Sequence, residues 1–263
     1  MIVNNKVIRH LPNVITLLNL VAGCLSIVSA FEGNLQIAGS LIIIAGVFDF
    51  FDGFTARLIG AYSTLGKELD SLSDVVSFGV APSMIMYHLL KNSLGLNPSE
   101  GLLNGHLILA VPFLLAAFSS LRLGIFNIDQ RQTSSFIGLA TPPSAFFTVG
   151  IVFGLHSGWS SVFEYFTSSP TLLILMIVIQ SALLVCELPM FSLKLKTLKF
   201  SIAYKQILLL LGSLVLILIF YKASLPLIIL WYILLSTFFW IIEGGDKGSS
   251  KEVIGSESGV NRE

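Results

Sequence analysis

Charged residues are scarce in this chain of 263 amino acids. Only 11% of the residues are Asp, Glu, Lys or Arg, whereas a soluble domain has roughly 25%. Hydrophobic residues make up 54% of the sequence, and the mean hydropathy is +0.87. This composition excludes an ordinary soluble domain and predicts an integral membrane protein. The formal net charge is zero, so no basic field indicates nucleic acid as a partner.

Cysteine is almost absent as well. The two cysteines, Cys24 and Cys186, both lie in apolar runs, where a free cysteine behaves as a small hydrophobic residue. Neither a disulfide framework nor a zinc site is predicted. No convincing small-residue cleavage pattern ends the first apolar run, so we interpret it as a membrane helix rather than a signal peptide.

Long apolar runs, in contrast, are abundant. A transmembrane helix needs about 20 mostly apolar residues, and Pro226 is well placed to open the last helix. Eight spans are predicted, at residues 13–31, 35–57, 70–90, 105–124, 143–158, 170–188, 203–221 and 224–243. The sequence therefore predicts an all-α polytopic membrane protein.

The distribution of Lys and Arg predicts the orientation of these spans. Eight spans place both termini on one side of the membrane, and that side carries thirteen of the fifteen Lys and Arg residues. Only Lys91 and Lys222 fall on the other side. Positive residues accumulate on the cytoplasmic side of membrane proteins. Both termini are therefore expected in the cytoplasm, with the protein in the cytoplasmic membrane.

Four aspartates interrupt the apolar pattern between residues 49 and 74. The end of the second span presents five residues on one helical face, namely Asp49, Asp52, Gly53, Ala56 and Arg57. Asp70 and Asp74 are one turn apart at the start of the third span. A helical hairpin joined by residues 58–69 would bring both sets together at the cytoplasmic face. Carboxylates beside a bilayer are expensive, so this cluster is expected to be functional.

The charges of this cluster point to divalent metal ions. Four carboxylates repel one another, and the nearby cations Arg57 and Lys67 are too few to neutralise them together with Glu68. An all-oxygen donor set favours Mg²⁺ or Mn²⁺, and Ca²⁺ would also fit. Two such ions about 3.5–4 Å apart clamp a phosphate ester for displacement at phosphorus. Gly53 and Ala56 leave one helical face flat enough for a nucleotide, although small residues also mark helix–helix contacts.

The aspartate pattern resembles the signature D-x2-D-G-x2-A-R-x8-G-x3-D-x3-D of the CDP-alcohol phosphatidyltransferases. The matching residues are Asp49, Asp52, Gly53, Ala56, Arg57, Gly66, Asp70 and Asp74. Three longer segments resemble the membrane-embedded phosphatidylserine synthases of that family: 12–19, 66–82 and 136–142. The resemblance covers roughly residues 10–200.

The resemblance implies a six-helix catalytic core, often homodimeric, and the substrate CDP-diacylglycerol in the bilayer. The expected division of the chain is a cytoplasmic segment at residues 1–12, the phosphatidyltransferase core at 13–200, two additional helices at 201–243 and a tail at 244–263. The tail is rich in Gly, Ser and charged residues, so it is expected to be disordered, and it is expected on the cytoplasmic side. The resemblance assigns one metal to Asp49, Asp52 and Asp70, and a second metal to Asp49, Asp70 and Asp74, with Asp74 also acting as general base. The implied contacts to CDP-diacylglycerol are Asn13, Thr16, Gly53, Ala56, Arg57 and Ser63.

The acceptor that the resemblance implies is L-serine, which would give phosphatidylserine and CMP. A lone Arg122 at the end of the fourth span suits a single carboxylate. The chain departs from the subfamily pattern at Ile125, where a second arginine is usual, and at Ala140, where a proline is usual. Three alternatives stay open at this point. They are the same chemistry with inositol phosphate, glycerol phosphate or an amino alcohol, a divalent-cation transporter, and an inactive scaffold protein.

Overall fold

The computed structural model describes residues 9–97, 100–129, 136–191 and 200–242, and the statements below concern these residues. They form a bundle of ten α-helices. The helices are α1 (Leu11–Phe31), α2 (Leu35–Ile59), α3 (Thr64–Asp74), α4 (Ala81–Ser93), α5 (Leu114–Ile128), α6 (Thr141–Gly154), α7 (Ser160–Ser168), α8 (Pro170–Val185), α9 (Phe200–Phe220) and α10 (Ser224–Ile242). The predicted all-α fold class is confirmed.

Short elements join these helices. A π-helical turn at Val75–Val80 links α3 to α4, and a 3-10 helix at Leu107–Phe113 leads into α5. One short antiparallel pairing joins β1 (Phe136–Ile137) to β2 (Pro189–Met190). The pairing holds the segment before α6 against the segment after α8.

The first three helical segments pack through small and polar residues. The Ser26 hydroxyl of α1 donates to the Ala38 carbonyl of α2 at 2.8 Å. The hydroxyls of Ser73 and Ser77 donate to backbone carbonyls of α1 at 3.2 and 3.0 Å. These bonds satisfy buried hydroxyl groups that would otherwise be costly in an apolar interior. They fix the α3 segment against α1.

The turn between the two aspartate-bearing helices is shorter than the sequence predicted. We expected a connection over residues 58–69, but α2 continues to Ile59 and α3 begins at Thr64. Gly60 ends α2 in the left-handed conformation (φ 65°), which glycine adopts without steric penalty. The Ser63 hydroxyl accepts a hydrogen bond from the Gly66 N–H at 2.9 Å and caps α3. The polar composition of the first turn of α3 had concealed this helix start.

The last two helices form an antiparallel hairpin. The rings of Tyr204 and Phe239, at opposite ends of the sequence of this hairpin, lie 5.4 Å apart. The turn is a 3-10 helix at Tyr221–Ala223, and Pro226 lies in the first turn of α10 as predicted. The Tyr232 hydroxyl of α10 donates to the Phe191 carbonyl at 3.0 Å. The hairpin is therefore anchored to the segment that follows α8.

Several helices are long and apolar enough to cross a bilayer. Among the described residues they are Leu11–Phe31, Leu35–Ile59, Leu107–Ile128 and Tyr204–Ile242, the last of which contains both α9 and α10. A fifth arises if α7 and α8, bent by 92°, count as one span. The protein is therefore an integral membrane protein. Helices occur at all eight predicted positions, while the number of bilayer crossings stays a prediction.

The predicted division of the chain also stays a prediction. The tail at residues 244–263 and most of the N-terminal segment 1–12 lie outside the described residues. The expected membrane core at 13–200 and the hairpin at 201–243 make contact through α6 and α10. The final hairpin thus packs along the core.

Candidate active site

Three aspartates converge between the C-terminal part of α2 and the C-terminal half of α3. One carboxylate oxygen from each of Asp49, Asp70 and Asp74 lies within 4.8 Å of the other two. Asp49 comes from the last turns of α2, and the other two come from α3. Asp74 is only 8% exposed. The four-residue turn between the helices brings these side chains to one depth, as the helical spacing predicted.

The fourth aspartate of the signature, Asp52, lies beside this group rather than within it. Its side chain is 6% exposed, and it accepts a hydrogen bond from the Thr16 hydroxyl at 2.7 Å. The Thr16 hydroxyl oxygen is also 3.0 Å from the Pro12 carbonyl in α1. Helix α1 therefore holds the Asp52 carboxylate in place through Thr16.

The donor atoms of this cluster fit a hard divalent cation. The three converging groups are all carboxylates, and oxygen-only sites suit Mg²⁺, Mn²⁺ or Ca²⁺. The Asp70 Oδ1 atom is buried and has no hydrogen-bond partner within the described part of the chain. A buried carboxylate oxygen without a partner is costly, and metal ligation would satisfy it.

A pocket of about 210 Å³ opens beside Asp52 and Asp70. Five of the six residues predicted to contact CDP-diacylglycerol line it: Asn13, Thr16, Gly53, Ala56 and Ser63. The sixth, Arg57, is not among the lining residues, but its Nη1 atom lies 3.6 Å from the place that a Cβ on Gly53 would take. Five of the six predicted contacts therefore line one pocket, and Arg57 lies beside Gly53 of that pocket.

Close approach explains the glycine at position 66. A Cβ on Gly66 would lie 3.0 Å from both the Asn13 Oδ1 and the Ser63 Oγ. That separation is tighter than ordinary van der Waals contact, so a larger residue would push these two side chains apart. Both side chains line the pocket beside the aspartates.

Sequence reasoning missed Asn19 as a site residue. This side chain is completely buried, and its Nδ2 lies 3.5 Å from the Asp74 Oδ1. A signal was available, because Asn13, Thr16 and Asn19 recur every third residue and so share one face of α1. That face lies along the aspartate cluster.

Arg122, like Asn19, lies near Asp74. It is 7% exposed, its guanidinium stacks on the Phe126 ring at 5.3 Å, and it is close enough to Asp74 for electrostatic attraction. Its Nε has no hydrogen-bond partner among the described residues. A second link ties α5 to α3, because the Asn127 side-chain amide donates to the Ser71 hydroxyl at 2.9 Å.

A small pocket of about 90 Å³ adjoins Arg122. Its volume is less than half that of the pocket beside Asp52 and Asp70, so it suits a smaller molecule. The pocket is lined by Arg122, Ile125, Asp129, Ile137, Leu184, Val185, Cys186 and Glu187. It therefore carries one cationic and two acidic side chains.

Gly138 frames this small pocket. Its φ of 75° is left-handed, and its N–H donates to the Leu188 carbonyl at 2.9 Å. A Cβ here would lie 2.7 Å from the Leu184 carbonyl oxygen, so glycine is required by both conformation and space. Ala140 has a φ of −68°, the angle that proline imposes. The backbone at Ala140 is therefore compatible with the proline that is usual in the family pattern.

The final hairpin reaches Arg122. The Tyr232 phenol of α10 lies close enough to Arg122 for electrostatic interaction, and its ring packs against Phe191 at 5.2 Å. No local pattern predicts the approach of Tyr232 to Arg122, because these two residues are more than one hundred positions apart. Helix α10 therefore forms part of the environment of Arg122.

Known relatives are consistent with this site. A CDP-diacylglycerol–serine O-phosphatidyltransferase of Bacillus subtilis (strain 168) is 40% identical over 135 residues, which cover 51% of this chain and 70% of that protein. An enzyme of the same name from Methanocaldococcus jannaschii is 39% identical over 52% of this chain and 57% of its own length. An archaetidylserine synthase of Methanothermobacter thermautotrophicus is 36% identical over 51% of this chain and 54% of its own length.

A family model covers far more of the chain than these pairwise matches do. The model described as CDP-alcohol phosphatidyltransferase matches residues 9–242. That range includes both aspartate-bearing helices, Arg122 and the final hairpin. The match confirms the resemblance drawn from the aspartate signature, and the enzyme class that it implied. This chain therefore belongs to the CDP-alcohol phosphatidyltransferase family.

Proposed function

We propose that this protein transfers the phosphatidyl group of CDP-diacylglycerol to the hydroxyl of L-serine, giving phosphatidylserine and CMP. The observation that carries this proposal is the convergence of Asp49, Asp70 and Asp74. Asp70 lines the larger of two pockets, and Arg122, which lines the smaller one, lies close to Asp74. The larger pocket suits the nucleotide, and the smaller one suits a small acceptor. The names of the relatives support serine as the acceptor.

The larger pocket would hold the CDP part of the donor. Asn13 and Ser63 offer hydrogen-bonding side chains at its rim, and Gly53 and Ala56 leave a flat wall. Arg57 would pair with a phosphate oxygen from its place beside Gly53. The acyl chains would remain in the bilayer and enter sideways.

The aspartates would hold two divalent cations, Mg²⁺ or Mn²⁺. Asp49, Asp52 and Asp70 would ligate one ion, and Asp49, Asp70 and Asp74 would ligate the other. The two ions would supply Lewis-acid stabilisation of the charge that develops on the pyrophosphate. Thr16 would keep Asp52 in a fixed rotamer through its 2.7 Å hydrogen bond.

The reaction is a single displacement at phosphorus. The serine hydroxyl oxygen forms a bond to the phosphorus next to diacylglycerol, the bond from that phosphorus to the CMP oxygen breaks, and Asp74 takes the hydroxyl proton. A carboxylate is a weak base for an alcohol, so the proton moves late, as the new bond forms. Asn19 would orient the Asp74 carboxylate. We expect inversion at phosphorus, and retention would indicate a covalent intermediate instead.

Arg122 would bind the serine carboxylate. Its buried guanidinium lines the small pocket and is attracted to Asp74, so it could hold the acceptor next to the base. An acceptor that carries a phosphate dianion would call for more than one cation. The position of the second arginine in the family pattern is Ile125 here, and Ile125 lines the same pocket.

We also propose where the protein lies in the cell and how many copies of the chain associate. The protein lies in the cytoplasmic membrane with both termini and the active site in the cytoplasm, and it forms a homodimer. Cysteines introduced at the exposed residues Leu103 and Tyr62 test the orientation in a chain without Cys24 and Cys186. An impermeant thiol reagent should label the Leu103→Cys variant on intact cells and spare the Tyr62→Cys variant. A light-scattering mass of one 28.6 kDa chain would contradict the dimer.

An acceptor panel tests the reaction. Purified protein is given CDP-diacylglycerol and Mn²⁺ or Mg²⁺ with L-serine, sn-glycerol 3-phosphate or inositol phosphate, and CMP release is measured. We expect release with serine, accompanied by phosphatidylserine, and no release in the Asp74→Asn variant. Release only with a phosphorylated acceptor would overturn serine as the substrate. A folded protein that releases no CMP with any acceptor would overturn the transferase assignment in favour of a transporter or a scaffold.

A further inference from the structure

The small pocket beside Arg122 carries both signs of charge. Arg122 is more than nine-tenths buried, and its Nε atom has no hydrogen-bond partner among the described residues. Two carboxylates, Asp129 and Glu187, line the same space of about 90 Å³. Glu187 lies 65 positions after Arg122 in the sequence, so no local spacing relates the two residues.

We propose that Glu187 binds the ammonium group of the acceptor while Arg122 binds its carboxylate. This inference rests on the proposed transfer to serine and assigns the residue that recognises the amine. A zwitterionic amino acid presents a carboxylate and an ammonium on one carbon, so both must find a partner of opposite charge in a small space. The pocket offers that pair of partners.

Glu187 is the better of the two acidic side chains for this role. Asp129 already interacts with another group of the protein. Glu187 follows directly after α8, and the neighbouring Leu188 carbonyl accepts a hydrogen bond from the Gly138 N–H at 2.9 Å. This bond fixes the backbone of the segment that carries Glu187. The Glu187 side chain is exposed, so an acceptor from the cytoplasm can reach it.

Position 125 leaves Arg122 as the arginine of this pocket. Ile125 lines the pocket where the pattern of the phosphatidylserine synthases has a second arginine. The charged residue types in the lining are therefore one arginine and two acidic residues. This balance disfavours an acceptor that carries a phosphate dianion.

Two serine analogues separate the roles of the charged residues. 3-Hydroxypropionate keeps the hydroxyl and the carboxylate of serine but lacks the ammonium. Ethanolamine keeps the hydroxyl and the ammonium but lacks the carboxylate. The KM and kcat for each acceptor are measured by CMP release with CDP-diacylglycerol and Mn²⁺ for the wild type and for Glu187→Gln. The matched control is Glu164→Gln, the same charge change at an exposed residue of α7.

The expected result is a change of selectivity rather than a general loss. Glu187→Gln should raise the KM for serine at least about tenfold, the size expected for loss of a hydrogen bond to a charged group. The KM for 3-hydroxypropionate should stay within about twofold, since that acceptor has no ammonium. Glu164→Gln should leave both values unchanged. Glu187→Asp, which keeps the charge, should fall between the wild type and Glu187→Gln.

Arg122→Gln provides the reciprocal test. It should reduce the preference for serine over ethanolamine and retain the preference for serine over 3-hydroxypropionate. Calorimetric titration of L-serine into the Mn²⁺-loaded protein gives a readout independent of turnover, and Glu187→Gln should weaken this binding by the same factor.

The outcomes distinguish the two proposals. If the wild type does not use serine, the proposed function fails. Suppose instead that the wild type uses serine, but that Glu187→Gln changes the KM for serine and the KM for 3-hydroxypropionate by the same factor or changes neither. Glu187 then does not bind the ammonium group. This result would overturn the inference about Glu187 and leave the proposed function standing. A Glu187→Asp variant that behaves like Glu187→Gln would also count against the inference.

Discussion

The aspartate hairpin and the Arg122 pocket are built in different ways. The hairpin draws its aspartates from residues 49–74, so its geometry follows from helical spacing and one short turn. The pocket is assembled from α5, the β1–β2 pairing and the end of α8, segments separated by as many as 65 positions. The proposed chemistry would therefore depend on residues that are local in sequence, whereas the proposed selection of the acceptor would depend on long-range packing.

The two regions also differ in charge. The hairpin gathers carboxylates with few cations, which suits the metal ions that we propose there. The pocket is lined by one buried arginine and two acidic residues, which suits the zwitterionic acceptor that we propose. We therefore expect changes in the hairpin to alter the rate with every acceptor, and changes in the pocket to alter the choice among acceptors.

Loss of the proposed base should be the largest effect. Asp74→Asn should lower kcat by about 10²–10⁴-fold, the usual contribution of a general base, and should do so with every acceptor. CMP release measures it. Glu68→Gln is the matched control, since Glu68 is an exposed acid on the same helix. Equal losses in both variants would show a nonspecific charge effect and would remove Asp74 from the mechanism.

Metal dependence should be nearly as large. Chelation should abolish CMP release, and Mn²⁺ at 100 times its dissociation constant should raise the unfolding free energy by about 2.7 kcal/mol. Asp70→Asn should lose this stabilisation, because the buried Asp70 Oδ1 would no longer serve as a ligand. Thermal unfolding in detergent with and without metal gives the readout. If Asp70→Asn is stabilised by Mn²⁺ as much as the wild type is, Asp70 is not a metal ligand.

Thr16→Val should reduce the use of CDP-diacylglycerol without changing the preference among acceptors. It removes the 2.7 Å hydrogen bond to Asp52, and hydrogen bonds to charged groups contribute about 1.5–3 kcal/mol. We expect kcat/KM for CDP-diacylglycerol to fall at least tenfold, by the same factor whichever acceptor is present. Ser29→Ala is the control, because the exposed Ser29 hydroxyl bonds only to the Leu25 carbonyl of its own helix. A loss in this control equal to that of Thr16→Val would refute the role of Thr16.

Gly138→Ala should instead disturb the Arg122 pocket, where we propose that serine binds. The left-handed backbone at Gly138 penalises any side chain by about 1–2 kcal/mol, and the added Cβ would crowd the Leu184 carbonyl. The unfolding free energy should fall by that amount, and the KM for serine should rise while the KM for CDP-diacylglycerol stays constant. Gly124→Ala, in a helix with open space around it, should not lower the unfolding free energy and should leave both KM values unchanged. A rise in the KM for CDP-diacylglycerol alone would contradict the assignment.

The contact from α10 should give the smallest effect. Tyr232→Phe removes a hydrogen bond to the Phe191 carbonyl, worth about 0.5–1.5 kcal/mol of stability. We expect a matching decrease in denaturant resistance and only a modest increase in the KM for serine. Tyr165→Phe, at an exposed tyrosine of α7, is the control. No difference between the two variants would mean that α10 does not support the pocket.

The sequence predicted the helical class, the helix positions and the aspartate hairpin, because period and spacing determine them locally. It misplaced the start of α3, because Ser63 and Gly66 form a cap within a polar stretch that looked like a loop. It could not predict the β1–β2 pairing or the approach of Tyr232 to Arg122. Those contacts depend on how distant helices pack, which no local pattern encodes.

The most direct test of this division compares one variant from each region on two acceptors. The measured quantity is the ratio of kcat/KM for L-serine to kcat/KM for 3-hydroxypropionate, in the wild type, Thr16→Val and Glu187→Gln. We predict that Thr16→Val lowers both values and preserves the ratio, whereas Glu187→Gln lowers the ratio at least about tenfold. A change of this ratio in Thr16→Val, or a ratio equal to that of the wild type in Glu187→Gln, would contradict the account. It would show that the aspartate hairpin and the Arg122 pocket do not have separate roles in the reaction and in the choice of acceptor.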